Sequence, residues 1–165
     1  MGQIDFPDRH CVNAAEGWLE LGNIFEARTE LGKIAAPRGE HPDVLEIEWK
    51  ICAREKRWDA ALLVAQAVIK ADPARCSGWL DQSYSLHEMN RTLEAWSHLL
   101  PAARKFPQVW TIPYNLACYA CRLGNLELAR QWLDKAIAIL GKEEIKNLAL
   151  ADADLQPMRE QLAKL

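Results

Sequence analysis

Apolar side chains along this chain fall three or four residues apart, and the helical stripes they form recur with a period of 34 residues. The clearest copy runs from Gly124 to Ala136. Counting back by 34 from Ala129 reaches Ala95, Ala61 and Ala27, an alanine each time. The same step from Leu133 reaches Leu99, Ala65 and Leu31, and from Ala136 it reaches Ala102, Val68 and Ile34. A second stripe precedes each of these. Ala15, Trp49, Ser83 and Ala117 form one column, with Trp18, Cys52, Leu86 and Ala120 one helical turn further on. Small residues in the Ala15 and Ala27 columns let two helices approach closely, and no stretch reads as a strand. The pattern predicts an all-α chain with one helical hairpin per period, the hairpins stacked as repeats.

The predicted hairpins occupy residues 8–41, 42–75, 76–109 and 110–143, followed by a capping tail over 144–165, all in a single domain. Their inner turns are Leu21-Gly22-Asn23, Lys56-Arg57, Asn90-Arg91 and Gly124-Asn125. Gly and Asn tolerate the left-handed conformation that ends a helix, so three of these turns carry a good stop signal. Gly39, Pro73, Pro107 and Gly141 close the units in a common column, and Pro37 and Pro42 add breaks at the first junction. Trp49 stands where the other units have Ala or Ser, which predicts a splayed or rotated second pair. Pro101 removes one backbone hydrogen bond from the second helix of the third unit, at about 3 kcal/mol in a regular helix, and predicts a kink there. Pro113 is cheaper because it lies in a first turn. In the tail, Ile145, Leu148 and Ala149 form one apolar stripe and Leu155, Met158 and Leu162 another, with Asp154 as the cap of the second. A last repeat exposes an apolar face, and the tail is expected to cover it.

These columns resemble the tetratricopeptide repeat, a helix–turn–helix unit of this period. The fourth unit carries the resemblance best, with Leu116, Ala117, Ala120, Gly124, Ala129, Leu133 and Ala136. The second contributes Trp58, Ala61, Val68 and Pro73, and the third Trp79, Ala95, Leu99 and Pro107. The first keeps Gly22, Ala27, Leu31 and Ile34. The resemblance implies a right-handed superhelical solenoid of antiparallel helix pairs, closed by the tail. It also implies a concave groove, lined by the first helices, that binds a peptide or helix of a partner protein. Carried over column by column, that groove includes Lys50 and Arg54, then Leu80, Tyr84 and His87, then Tyr114, Cys118 and Arg122. The aromatic rings would anchor an apolar side chain and the cations an acidic group. Some relatives clamp the C-terminal carboxylate of a heat-shock chaperone with Lys and Asn. Val12, Glu16 and Glu46 at the matching positions cannot do so. The implied function is a non-enzymatic interaction scaffold, the alternative being a secretion chaperone that holds a client segment.

Charge and chemistry narrow this little. With formal net charge −3 and no Lys/Arg cluster, the chain lacks the electrostatic footprint of a nucleic-acid binder. Its longest apolar run, Ala60 to Val68, is too short to span a bilayer. The first residues lack the features of a signal peptide or a myristoylation site, and five cysteines form an odd set, so reduced thiols in a cytoplasm are expected. Cys118 and Cys121 make a CxxC spacing, and His87 falls in the Cys121 column one unit earlier, which raises a metal or thiol-redox site as a further alternative. Mid-helix cysteines lack the helix N-terminus that activates redox pairs. No cofactor motif and no nucleophile elbow occur. Trp132, if exposed on the outer face, would offer a homodimer contact.

Overall fold

Four left-handed residues pace the chain at the expected interval: Gly22, Lys56, Asn90 and Gly124 have φ of 78°, 56°, 60° and 82°. The structure, a computed structural model, describes residues 4–36 and 38–164, so Met1–Gln3, Pro37 and Leu165 lie outside it, and with them the break expected at Pro37. Each left-handed residue ends a helix in the same way. The amide after it donates back across the turn: Asn23 to Trp18, Arg57 to Cys52, Arg91 to Leu86 and Asn125 to Ala120, all at 2.8–2.9 Å. This is the Schellman closure, which satisfies the last carbonyls of a helix. Asn23 and Asn125 then cap the next helix, their side chains accepting from the Glu26 and Leu128 amides at 3.1 Å.

Lys56 holds this conformation without being glycine. Replacing it with glycine is expected to raise the unfolding free energy by about 0.5–1 kcal/mol, the left-handed strain relieved less the added unfolded-state entropy. A lower midpoint in urea would contradict this.

Among the described residues every regular element is a helix, and the chain divides into two compact units, Met1–Ser85 and Leu86–Leu165. The first unit holds α1 (Asp8–Glu20), α2 (Ile24–Leu31), α3 (Pro42–Arg54), α4 (Trp58–Ala71) and the larger part of α5 (Cys76–Glu88). Ala15, Ala27, Ala61 and Ala65 are fully buried and bring their helices together, with Ile51 and Val68 packed beside them. Pro42 opens α3 at its first position, where no amide is needed, and His41 Nδ1 accepts from the Asp43 amide at 3.2 Å. Gly78 marks a close approach, since a Cβ there would lie 2.9 Å from Ile69 Cγ1 on α4.

The second unit continues with α6 (Thr92–Leu99), α7 (Ala102–Lys105), α8 (Thr111–Arg122), α9 (Leu126–Leu140), α10 (Lys142–Ala151) and α11 (Arg159–Ala163). Ala95, Leu99, Ala102, Ala117, Ala129, Leu133 and Ala136 are fully buried, so the periodic columns are its core. The break at Pro101 is present: α6 stops at Leu99 and α7 starts at Ala102, with tightened bonds from the Ala103 and Arg104 amides to Leu100 and Pro101.

Trp49 is half-buried, and its indole donates to Ser85 Oγ at 3.0 Å on α5. Two expectations need correction. Leu148 is exposed, leaving Ile145 and Ala149 as the buried side of α10. The second tail stripe is mostly a 3-10 turn, Ala153–Met158, and its cap is Asp152, which accepts from the Asp154 amide at 2.9 Å. The Asp154 carboxylate is thereby left to turn elsewhere.

Candidate functional site

In the first unit, α1 and α3 present a hollow of about 250 Å³ lined by Glu16, Leu19, Trp49, Lys50, Ala53 and Arg54. One helical face places these residues together, because Lys50, Ala53 and Arg54 are three and four apart on α3. Lys50 Nζ reaches back to Glu16 Oε1 at 2.5 Å, so its charge is already met within the unit. Arg54 is exposed and forms no ion pair among the described residues. Tyr84 on α5 is 40% exposed, and its ring meets Trp49 and Trp58 edge-on at 6.3 and 5.7 Å. Leu80 is half-buried on the same helix. The sequence-derived residues Lys50, Arg54, Leu80 and Tyr84 are therefore all within reach of solvent, and Trp49 joins them although the column pattern assigns it to helix packing.

Acids border this face. Glu46 accepts from Ser77 Oγ and pairs with Arg75 at 3.1 Å, while Asp43 pairs with Arg9 and Arg75, each at 2.7 Å. Burial works against the Asp43 charge, and the two guanidinium groups outweigh it, holding the carboxyl below its usual range. Asp81 lies nearby without such cations around it. Burial, and then the repulsion of Glu46, push its carboxyl up to about 7 against the pull of Lys50.

In the second unit His87, Tyr114 and Cys118 are largely covered instead, while Arg122 stays exposed. The segment after α10 lies across α8, with Leu155 and Met158 fully buried. Tyr114 Oη donates to Asp152 Oδ2 at 2.9 Å, and the Cys118 thiol donates to the same oxygen at 3.6 Å. His87 Nε2 meets Asp154 Oδ2 at 2.8 Å, its Nδ1 lies 3.0 Å from Thr92 Oγ1, and its ring stacks at a tilt on Tyr119 at 4.8 Å. Arg122 Nε lies 3.5 Å from Asp154 Oδ1. The residues Tyr114 and Cys118 are thus buried, a correction to the expectation that they face an open groove.

The same packing bears on the metal and redox alternative. Burial, reinforced by Asp152 and Asp154, pushes the Cys118 thiol far above its ordinary value, and burial raises Cys121 too. A thiol held neutral is a poor nucleophile and a poor metal ligand. His87 already bonds Asp154, and among the described residues no group of three or more His, Cys, Asp or Glu could hold a metal ion. Trp132 is 9% exposed, packing edge-on against Trp96 with the Lys135 ammonium 3.7 Å over its ring, so the condition for a dimer contact through it, an exposed indole, is not met.

No protein-family model matches the chain, and no curated protein matches it in sequence. Solved structures do match in shape. A thermophilic TPR protein of Thermus thermophilus, TTC0263, superposes with a TM-score of 0.72 over 96% of this chain and 100% of its own, at 15% identity. PilF of Pseudomonas aeruginosa gives 0.77 over 93% of this chain and 69% of its own, at 18% identity. YrrB, described as a TPR protein with an unusual peptide-binding site, gives 0.69 over 84% of this chain and 72% of its own, at 19% identity. The class is therefore an all-helical repeat fold. In particular, it is the tetratricopeptide-repeat fold of antiparallel helix pairs, here followed by a closing segment. No helix among the described residues is long and apolar enough to cross a membrane.

Proposed function

We propose that this chain is a non-enzymatic interaction scaffold that binds a peptide or helix of a partner protein on the face of α1, α3 and the part of α5 up to Tyr84. The observation that carries the reading is the pairing of an open hollow with an aromatic cluster. Arg54 stands exposed at the hollow, and Tyr84, braced by Trp49 and Trp58, stands beside it. Rigid aromatic rings supply contact area at low entropic cost, and an exposed cation with no ion pair among the described residues favours an acidic group on the ligand. The fold supports the same reading, because stacked helix pairs offer extended surfaces suited to segments of other proteins. The likeness to YrrB adds that a protein of this fold has a peptide-binding site. On this reading the face of α8 contributes no open groove, since the chain's own closing segment lies on it.

The test is a selection of binding peptides from a displayed library on the intact chain. The selected peptides are then titrated against Tyr84→Ala, Arg54→Ala and Arg122→Ala. At least tenfold weaker binding is expected for the first two variants and none for the third. Peptides that bind all three variants as they bind the parent would place recognition elsewhere and overturn the proposal.

A further inference from the structure

The segment that covers α8 is held in the manner of a bound ligand. Each of its two carboxylates has its own receptor. Asp152 takes the Tyr114 hydroxyl and the Cys118 thiol, and Asp154 takes His87 and Arg122. Beyond them in the chain, Leu155 and Met158 lose all exposure to water. The backbone through Ala153–Met158 is a 3-10 turn rather than an α-helix, and it follows an extended residue, Asp152, with ψ of 123° at the end of α10. The segment is therefore a short irregular strap fixed largely through side chains, with Asp154 and Arg122 still reached by solvent. α8 supplies three of these receptors, Tyr114, Cys118 and Arg122, and the end of α5 supplies His87; α8 carries no acid of its own, since the stretch from Thr111 to Arg122 contains neither Asp nor Glu.

We infer that the α8 face is a second recognition site, selective for a segment with the pattern Asp-x-Asp-Leu-x-x-Met, and that the chain's own residues 152–158 occupy it until a partner segment of the same chemistry competes for it. The occupant is an acidic–apolar peptide stretch. The two carboxylates set its register, and the Leu and Met side chains supply the buried contact. This inference is independent of the reading of the α1–α3 face and stands or falls on different residues.

The test uses the whole chain and a labelled synthetic peptide of residues 150–163. In the variant Asp152→Ala/Asp154→Ala the internal segment loses its carboxylates while Leu155 and Met158 remain. This variant is expected to bind the peptide at least tenfold more tightly than the parent chain does. A peptide with both aspartates changed to asparagine is expected to lose that gain. A variant that keeps the parent's circular dichroism and binds the peptide no better overturns the inference, because the segment is then simply core. Should the variant not fold, the parent chain is read by the methyl resonances of Leu155 and Met158 in millimolar peptide. Selective perturbation of those methyls by the native peptide and not by the asparagine form supports exchange, and unmoved resonances overturn it.

Discussion

Replacing Leu155 with alanine is expected to lower the unfolding free energy of the chain by about 2–5 kcal/mol, the range for truncating a fully buried leucine. The side chain is fully buried in a segment that packs on α8, and Met158 and Leu162 of the same tail are also sealed from water. Truncation removes apolar contact and leaves a cavity whose walls are fixed. On one side stands α8, buried along most of its length from Ile112 to Cys121. On the other, Asp152 and Asp154 tether the segment and limit its collapse into the space. Urea unfolding followed by far-ultraviolet circular dichroism measures the change. A loss well under 1 kcal/mol would mean that the segment contributes little to the second unit and lies on it loosely.

The second large effect concerns pH in the first unit. Asp81 carries a carboxyl raised to about 7 from an ordinary 3.8, chiefly by burial and secondarily by Glu46, with Lys50 opposing. In the unfolded chain the same group ionises near its ordinary value. Between about pH 4 and pH 7 the folded state thus retains a proton that the unfolded state has released, and the native structure loses stability as pH rises through this window. Above about pH 7 the penalty is complete, on the order of a few kcal/mol. Asp81→Asn, which keeps the shape and fixes the neutral state, is expected to be clearly more stable than the parent at about pH 8 and nearly equal to it at about pH 4. Thermal unfolding of both chains across that range decides the matter. Parallel curves for the two would show that Asp81 does not carry the effect.

How much of this is legible in the sequence depends on the residue. The helix pairs are readable because the packing demand is periodic. Where two helices meet at a fixed distance only a small side chain fits, and Ala27, Ala61, Ala95 and Ala129 repeat that demand at full burial. The left-handed turns are readable at the three Gly and Asn positions. Lys56 is harder, since nothing in a lysine announces positive φ, and only its place in the column does so. Tyr84 and Arg54 lie at the surface, as their columns imply by running away from the small-residue columns.

The covered half of the face escapes the column pattern for a definable reason. The closing segment has no counterpart in earlier units, so no column can say where it lies. Asp154 has the sequence position of a cap, yet its carboxylate reaches His87 and Arg122. A signal is nevertheless present. Thr111 to Cys121 contains no charged residue, unlike the charged first helices of units one and two. A helix with no charged face is covered on more than one side. Asp81 gives no such signal, because a lone acid on a helix resembles any solvated one, and its burial depends on how α3 lies against α5.

The geometry of the joints separates two kinds of connection. Within each pair the link is three residues long, 21–23, 55–57, 89–91 and 123–125, and is fixed by a left-handed residue and a back-bonded amide. Between successive pairs the link ranges from the four residues 72–75 to the ten residues 32–41. Length variation among descendants of such a chain has room to accumulate at the second kind of joint, and fused domains or permuted ends would be accommodated there. The inner turns act as the fixed metre of the chain, and the joints between pairs are where its lineage can lengthen.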